Sequence, residues 1–195
     1  MFETGAVRMG PSRHDPSRVV ATVDLDAARA LAAARAEELR SFMWLAGDWT
    51  YENPVPATRL SPAYCDTGNA AFAPSADGGW ICTLAPDGRQ VPMITFDPWS
   101  RQWIYVLTQG SYGVLRAPGW SGDSIAFVGT MTMLGVTCEW RMTWTRRGAS
   151  AFVFVNEELG ADGAWHYIDE WRYERAVTPR GATAEPLRRS GPPRR

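Results

Sequence analysis

Ser41-Phe42-Met43-Trp44-Leu45-Ala46-Gly47-Asp48-Trp49-Thr50-Tyr51 is the stretch at which the periodicity of this sequence changes. Upstream of it, apolar residues recur every three to four positions. Downstream they recur every second position, the signature of strands with one wet face. Gly47 stands at the junction and ends the helical pattern. The stretch therefore reads as the hinge between a short amphipathic helix and the first strand of a closed sheet, and every later strand has to pack around it.

The helix is predicted over Leu25 to Phe42, a run of Ala, Leu, Arg and Glu, all good helix formers. Asp24 is the expected N-cap and Asp26 places negative charge in the first turn. At about 100° per residue, Leu25, Ala28, Leu31, Ala32, Leu39, Phe42 and Met43 share one sector, so the helix has one apolar stripe to dock. Arg35 falls inside that stripe. It is either a stem lying on apolar surface with its head in water, or a guanidinium reaching a ligand at a barrel mouth.

Beyond the hinge, ten strands are expected: 48–52, 67–72, 80–84, 93–97, 103–108, 113–116, 124–133, 137–145, 151–157 and 165–175. The breaks between them are chemical. Asp77-Gly78-Gly79, Pro86-Asp87-Gly88, Asp97-Pro98, Pro118-Gly119, Ser121-Gly122-Asp123 and Asp162-Gly163 are turn formers. Residues 53–62 carry Pro54, Pro56 and Pro62, which have no ladder N–H to give, and are expected to form a loop edging the mouth. No helical pattern separates the strands, so parallel βαβ units are excluded. A meander this long resolves its edges best by closing. The fold class is therefore all-β: an antiparallel closed barrel of eight to ten strands preceded by one short helix. It is expected over residues 24–176, with a flexible arm at 1–23 and a disordered, arginine-bearing tail at 177–195.

Composition narrows the function. The 195 residues carry 20 basic and 21 acidic groups, so no basic excess exists for a nucleic-acid partner. Every basic residue is Arg, which excludes lysine Schiff-base chemistry. Cys65, Cys82 and Cys138 form no Cys-x-x-Cys pair and read as buried small hydrophobes. No apolar run is long enough to span a membrane, and residues 1–17 lack the apolar core of a secretory signal, so the expected location is the cytoplasm. Ten Trp, seven Phe and six Tyr make the chain 12% aromatic, suited to a dense core or a ligand cavity.

Alternation assigns the faces. Cys138, Trp140, Met142 and Trp144 share one side of their strand; Phe152, Phe154 and Asn156 share one; Trp165, Tyr167, Asp169, Trp171 and Tyr173 share another. These aromatic faces are assigned to the interior. Two polar groups then stand among aromatics, Asn156 and Asp169. A buried carboxylate needs hydrogen bonds or a raised pKa. Asp169 is thus either structural, taking Tyr or Trp donors, or a general acid or base. With the opposite assignment, His166, Glu170, Arg172 and Glu139 would form a polar interior instead. His14 and His166 are the only histidines, which excludes a multi-histidine metal site; a haem held by His166 alone is the one cofactor left open, and none is otherwise expected. Nucleophile elbow, P-loop, dinucleotide fingerprint and His-Glu-x-x-His are all absent.

Leu45-Ala46-Gly47-Asp48-Trp49 resembles the start of the lipocalin and wider calycin superfamily, where a short helix precedes a Gly-x-Trp on the first strand. The whole of 24–175 is similar to small uncharacterised bacterial calycin-like barrels, which end on a D-G turn and an aromatic-plus-Arg strand, here Asp162-Gly163 through Trp171-Arg172-Tyr173-Glu174-Arg175. The resemblance implies that Trp49 closes the barrel floor beneath an arginine from a late strand, Arg172 or Arg175. It also implies an apolar ligand; among such barrels the nitrobindin-like proteins hold haem, and others catalyse cyclisation or isomerisation.

The expected function is therefore binding of an apolar or aromatic small molecule, walled by Trp103, Tyr105, Trp140, Trp144, Phe154, Tyr167 and Trp171, with Asn156 and Arg35 as polar contacts. The alternative is a cofactor-free cyclase or isomerase acting on an apolar substrate by preorganisation, helped by Asp169 or Tyr105. A homodimer is left open.

Overall fold

The computed structural model describes residues 24–57, 62–108, 110–133 and 135–176. The expected N-terminal arm and C-terminal tail lie outside the described residues. Helix α1 (Leu25–Leu39) runs into a 3-10 segment (Arg40–Leu45), and ten strands follow. They are β1 (Gly47–Val55), β2 (Tyr64–Pro74), β3 (Ile81–Leu84), β4 (Gln90–Asp97), β5 (Gln102–Leu107), β6 (Ser111–Ala117), β7 (Ser124–Met133), β8 (Val136–Arg146), β9 (Ala151–Leu159) and β10 (Trp165–Arg175). Each strand pairs antiparallel with its neighbours in sequence, and β1 pairs with β10, so the sheet closes into an up-and-down barrel. All ten expected strands are present.

The helix begins where its cap predicts: the Asp24 carboxylate accepts from the backbone N–H of Asp26 and of Ala27. Its contact line is not the expected stripe. Leu25 stays 65% exposed and Met43 is also exposed, while Leu31 and Arg35 are half-buried and Leu39 and Phe42 are buried. For Met43 the reason is the tightening to a 3-10 turn from Arg40, which has 3.0 residues per turn and rotates this side chain outward; Leu25 lies in the first turn, ahead of the part of the helix that docks. Arg35 Nε donates to the Phe96 carbonyl on β4 at 3.0 Å, so this guanidinium fastens the helix to the barrel wall.

The 3-10 segment plugs one end of the barrel. Phe42 and Leu45 are fully buried, and the Phe42 ring lies 4.8 Å from both Trp103 and Trp120. Below the plug, Trp49 donates from Nε1 to the Leu45 carbonyl at 2.7 Å. Arg175 lies over the Trp49 ring at 4.1 Å and donates to the carbonyls of Ala46 and Trp44. Arg172 instead pairs with Glu170 and Glu52 on the outer surface. The floor is thus an arginine–tryptophan clasp between the two terminal strands.

Gly47 permits that clasp. Its φ is +120°, and a Cβ there would stand 2.5 Å from Arg175 Nη1. Gly47→Ala is expected to destabilise the protein by about 2–3 kcal/mol, combining backbone strain with displacement of the guanidinium. Urea unfolding checks this; a loss below about 0.5 kcal/mol would remove the clasp argument.

Two further expectations are corrected. The loop placed at 53–62 starts later, because Asn53, Pro54 and Val55 belong to β1. Pro54 is tolerated there because the β1–β10 ladder ends at Glu52, leaving Pro54 opposite Cys65 on one side only. The cysteines are all free, but only Cys82 is buried; Cys138 is half-buried and Cys65 is exposed.

Candidate functional site

Inward side chains of β8, β9 and β10 fill much of the barrel with a column of near-parallel rings. Tyr173 stacks on Phe152 at 4.4 Å, Phe152 on Trp144 at 5.2 Å, Trp144 on Phe154 at 5.4 Å, and Phe154 on Trp171 at 5.6 Å. Offset stacks of this kind add to the area each ring buries. Trp103 and Trp144 are sealed in the floor beside Phe42 rather than facing open space.

Beside this column, towards the open end, the polar interior residues meet. Trp140 Nε1 donates to Asn156 Oδ1 at 3.1 Å, and Asn156 Nδ2 donates to Asp169 Oδ1 at 2.7 Å. Trp171 Nε1 donates to Asp169 Oδ2 at 3.2 Å. Asn53, also buried, completes the set. With its amide oriented to match donors with acceptors, its oxygen accepts from Trp171 Nε1 at 3.0 Å and its nitrogen donates to the Glu170 carbonyl at 3.3 Å. Asp169 Oδ1 thus has a donor of its own in Asn156, while Asp169 Oδ2 shares the single Trp171 N–H with the Asn53 oxygen. The sequence isolated Asn156 and Asp169 as anomalies on apolar faces; the structure makes them direct partners, and adds Asn53, which the sequence reading had placed in a loop.

A bulge in β10 makes this contact. Asn156 pairs with Asp169 while Glu157 pairs with Tyr167, so Ile168 is the extra residue. One extra residue inverts the side-chain phase. That overturns the expected placement of Tyr167. It is 54% exposed and lies in an outer groove with Pro54, Val55, Pro56, Ala63 and Tyr64, not on the interior wall. Trp165 is turned outward as well, with the Arg141 guanidinium 4.6 Å over its ring. His166 sits exposed at the rim, its Nε2 bonded to Asp162 at 2.9 Å in the β9–β10 turn, so the ring offered to a haem is engaged elsewhere. That bond holds the Asp162 carboxyl below its ordinary value. Among the described residues no cluster of three His, Cys, Asp or Glu side chains is arranged to hold a metal ion. No described helix is long and apolar enough to cross a membrane.

A recess lies on the opposite wall. β4 and β5 pair only from Ile94↔Tyr105 to Asp97↔Gln102; beyond that point they separate towards the open end. Pro92 helps to explain why. It has no N–H, and a register shift between β3 and β4 falls beside it. The wedge between the strands is a recess of about 200 Å³ lined by Thr83, Val91, Pro92, Met93, Tyr105, Val106, Leu107 and Thr108. Of the residues singled out in the sequence, only Tyr105 reaches it. Burial pushes the Tyr105 phenol well above its ordinary pKa, so it stays protonated at neutral pH. The sequence signal that could have found this recess is Pro92, which directly precedes the expected strand 93–97 and which the structure places inside β4.

A closed ten-strand meander entered through a helix and a Gly-x-Trp fits a calycin-like fold. No family model matches the sequence, and no curated protein matches it. Among solved structures the chain is similar to the crystal structure of Rv2717c from M. tuberculosis, with 10% identity and a TM-score of 0.44 over 72% of this chain and 98% of that one.

Proposed function

We propose that this barrel binds an apolar small molecule about one ring in size, seated in the wedge between β4 and β5. The observation that carries the reading is the recess itself. It is about 200 Å³, mostly apolar in its lining, and lies where two strands of an otherwise continuous wall part. A dry apolar cavity of about 150 Å³ is enough for benzene, so this one suits a substituted ring and is too small to enclose a fused polycycle. Barrels commonly take ligands at such mouths.

Transformation of the ligand has less support. Asp169 accepts from Asn156 and shares the Trp171 N–H with Asn53, and the recess lies across the barrel from it. Tyr105 is held as the neutral phenol. Water exclusion and shape are what remain for a cofactor-free reaction, and the recess is open at one side.

Calorimetric titration of the purified chain with ethylbenzene and with anthracene tests the reading. Ethylbenzene is expected to bind with a Kd on the order of 0.1–1 mM, given its few heavy atoms, and anthracene not at all. Leu107→Trp, which fills the recess, is expected to abolish ethylbenzene binding while leaving the melting temperature nearly unchanged. Equal binding to the filled variant, or none to the parent protein, sinks the proposal.

A further inference from the structure

Three adjoining depressions border the outer face of β1, and the first begins at Ala176, the last described residue of the barrel. Asp48, Thr50 and Glu52 are exposed between Trp49, Tyr51 and Asn53, which turn inward. Asp48 lines the first depression with Asn69, Pro86 and Ala176. Thr50 and Glu52 line the second with Thr67, Arg172 and Glu174. Pro54 opens the third, the outer groove of about 420 Å³ where Val55, Pro56, Tyr64 and Tyr167 meet. Tyr64 is 56% and Tyr167 54% exposed, so two rings stand bare beside the prolines. Exposed apolar side chains grouped in this way mark a docking surface.

The strip is acidic, and the chain that leaves beside it is basic. Arg172 pairs with Glu52 and Glu170, while Asp48 and Glu174 have no ion-pair partner among the described residues. Residues 177–195 carry Arg180, Arg188, Arg189, Arg194 and Arg195 against the single acidic Glu185. The Ala176 N–H donates to the Asp48 carbonyl at 2.9 Å, so this segment sets out at the head of the strip.

We propose that residues 177–195 double back along the outside of β1 and seat Pro186-Leu187 in the tyrosine groove. The path from Asp48 to Pro54 is about 20 Å of strand, at about 3.3 Å per residue. From Ala176 to Pro186 the chain spans up to about 31 Å in polyproline geometry, which reaches the groove with slack. Arg180 comes level with Glu52 on the way, each four residues beyond the Ala176–Asp48 bond. Proline-bearing segments suit aromatic-lined grooves because their backbone is already restricted before it docks. Tethering supplies an effective concentration on the order of 1 mM, so a modest contact is enough to fill the groove.

Nitrogen-15 relaxation of the full chain tests this. The amides of Glu185 and Leu187, on either side of Pro186, are expected to show order parameters above about 0.6, the value below which a backbone counts as flexible. Leu187→Ser in the segment and Tyr167→Ser in the groove are each expected to bring both amides below about 0.6 while the barrel's own amides keep their order. At about 1 M salt, where the screening length falls to about 3 Å, the Arg180 amide is expected to lose its order as well. Values below about 0.6 throughout 177–195 in the parent protein, or order that survives both substitutions, overturn the proposal. A dimer that Tyr167→Ser dissolves gives the groove to a second copy and overturns it too.

Discussion

Arg175→Ala is expected to lower the stability of the protein by about 3–5 kcal/mol, the largest effect of any single surface-reaching side chain. The guanidinium donates to two carbonyls, those of Ala46 and Trp44, and lies 4.1 Å over the Trp49 ring. Hydrogen bonds from a charged donor contribute about 1.5–3 kcal/mol each, and a partly desolvated cation over an indole about 1 kcal/mol. Removal also leaves two carbonyls at the 3-10 terminus without donors. Arg175→Lys is expected to recover only part of the loss, since an ammonium lacks the planar fork that reaches both carbonyls. Guanidinium chloride unfolding with an unchanged m-value measures both variants. A loss under about 1 kcal/mol for the alanine variant would mean the plug is held by ring packing alone.

Asp169→Asn is the second large expectation, at about 2–4 kcal/mol. The substitution keeps shape but turns one acceptor oxygen into an NH₂ group that meets the donor on Asn156 or Trp171. Two donors in contact, both out of bulk water, account for the cost. Because the recess lies on the other wall, affinity for ethylbenzene is expected to change by less than about twofold. Unchanged stability together with lost binding or turnover would restore Asp169 to the chemistry and remove it from the framework.

Much of the architecture was legible because it is written in local chemistry. The Asp-Gly and Pro-Gly pairs mark turns through backbone conformation alone, and the two-residue alternation of β8 and β9 survives into their buried faces. The clasp was legible only through the resemblance to calycin barrels, which implied Arg172 or Arg175 over Trp49; the structure chooses Arg175. What failed, failed where phase is broken by a non-local event. The bulge at Ile168 inverts everything before it in β10, so Tyr167 and Trp165 leave the interior while Asp169 and Trp171 stay. The 3-10 turn after Leu39 does the same to Met43 at the end of the helix stripe. The recess was hidden for a deeper reason. It is a missing pairing between β4 and β5, and a single strand's sequence records its own faces, not the point at which its neighbour leaves it. An aromatic-rich interior was likewise readable as composition, but the division of those rings between filling and lining depends on the stack that only the closed barrel creates.

The closure itself sets an order of events. β1 meets β2 over nine residue pairs but meets β10 over only four, and β10 ends at Arg175. During synthesis each hairpin has its partner within a few dozen residues, whereas the first strand keeps one bare edge until nearly the whole barrel has left the ribosome. The clasp that completes the floor forms last for the same reason, since its arginine is the final residue of the final strand. A nascent chain of this kind spends its longest wait with β1 and the newest strand as open, adhesive rims, until the seam between β1 and β10 shuts the ring.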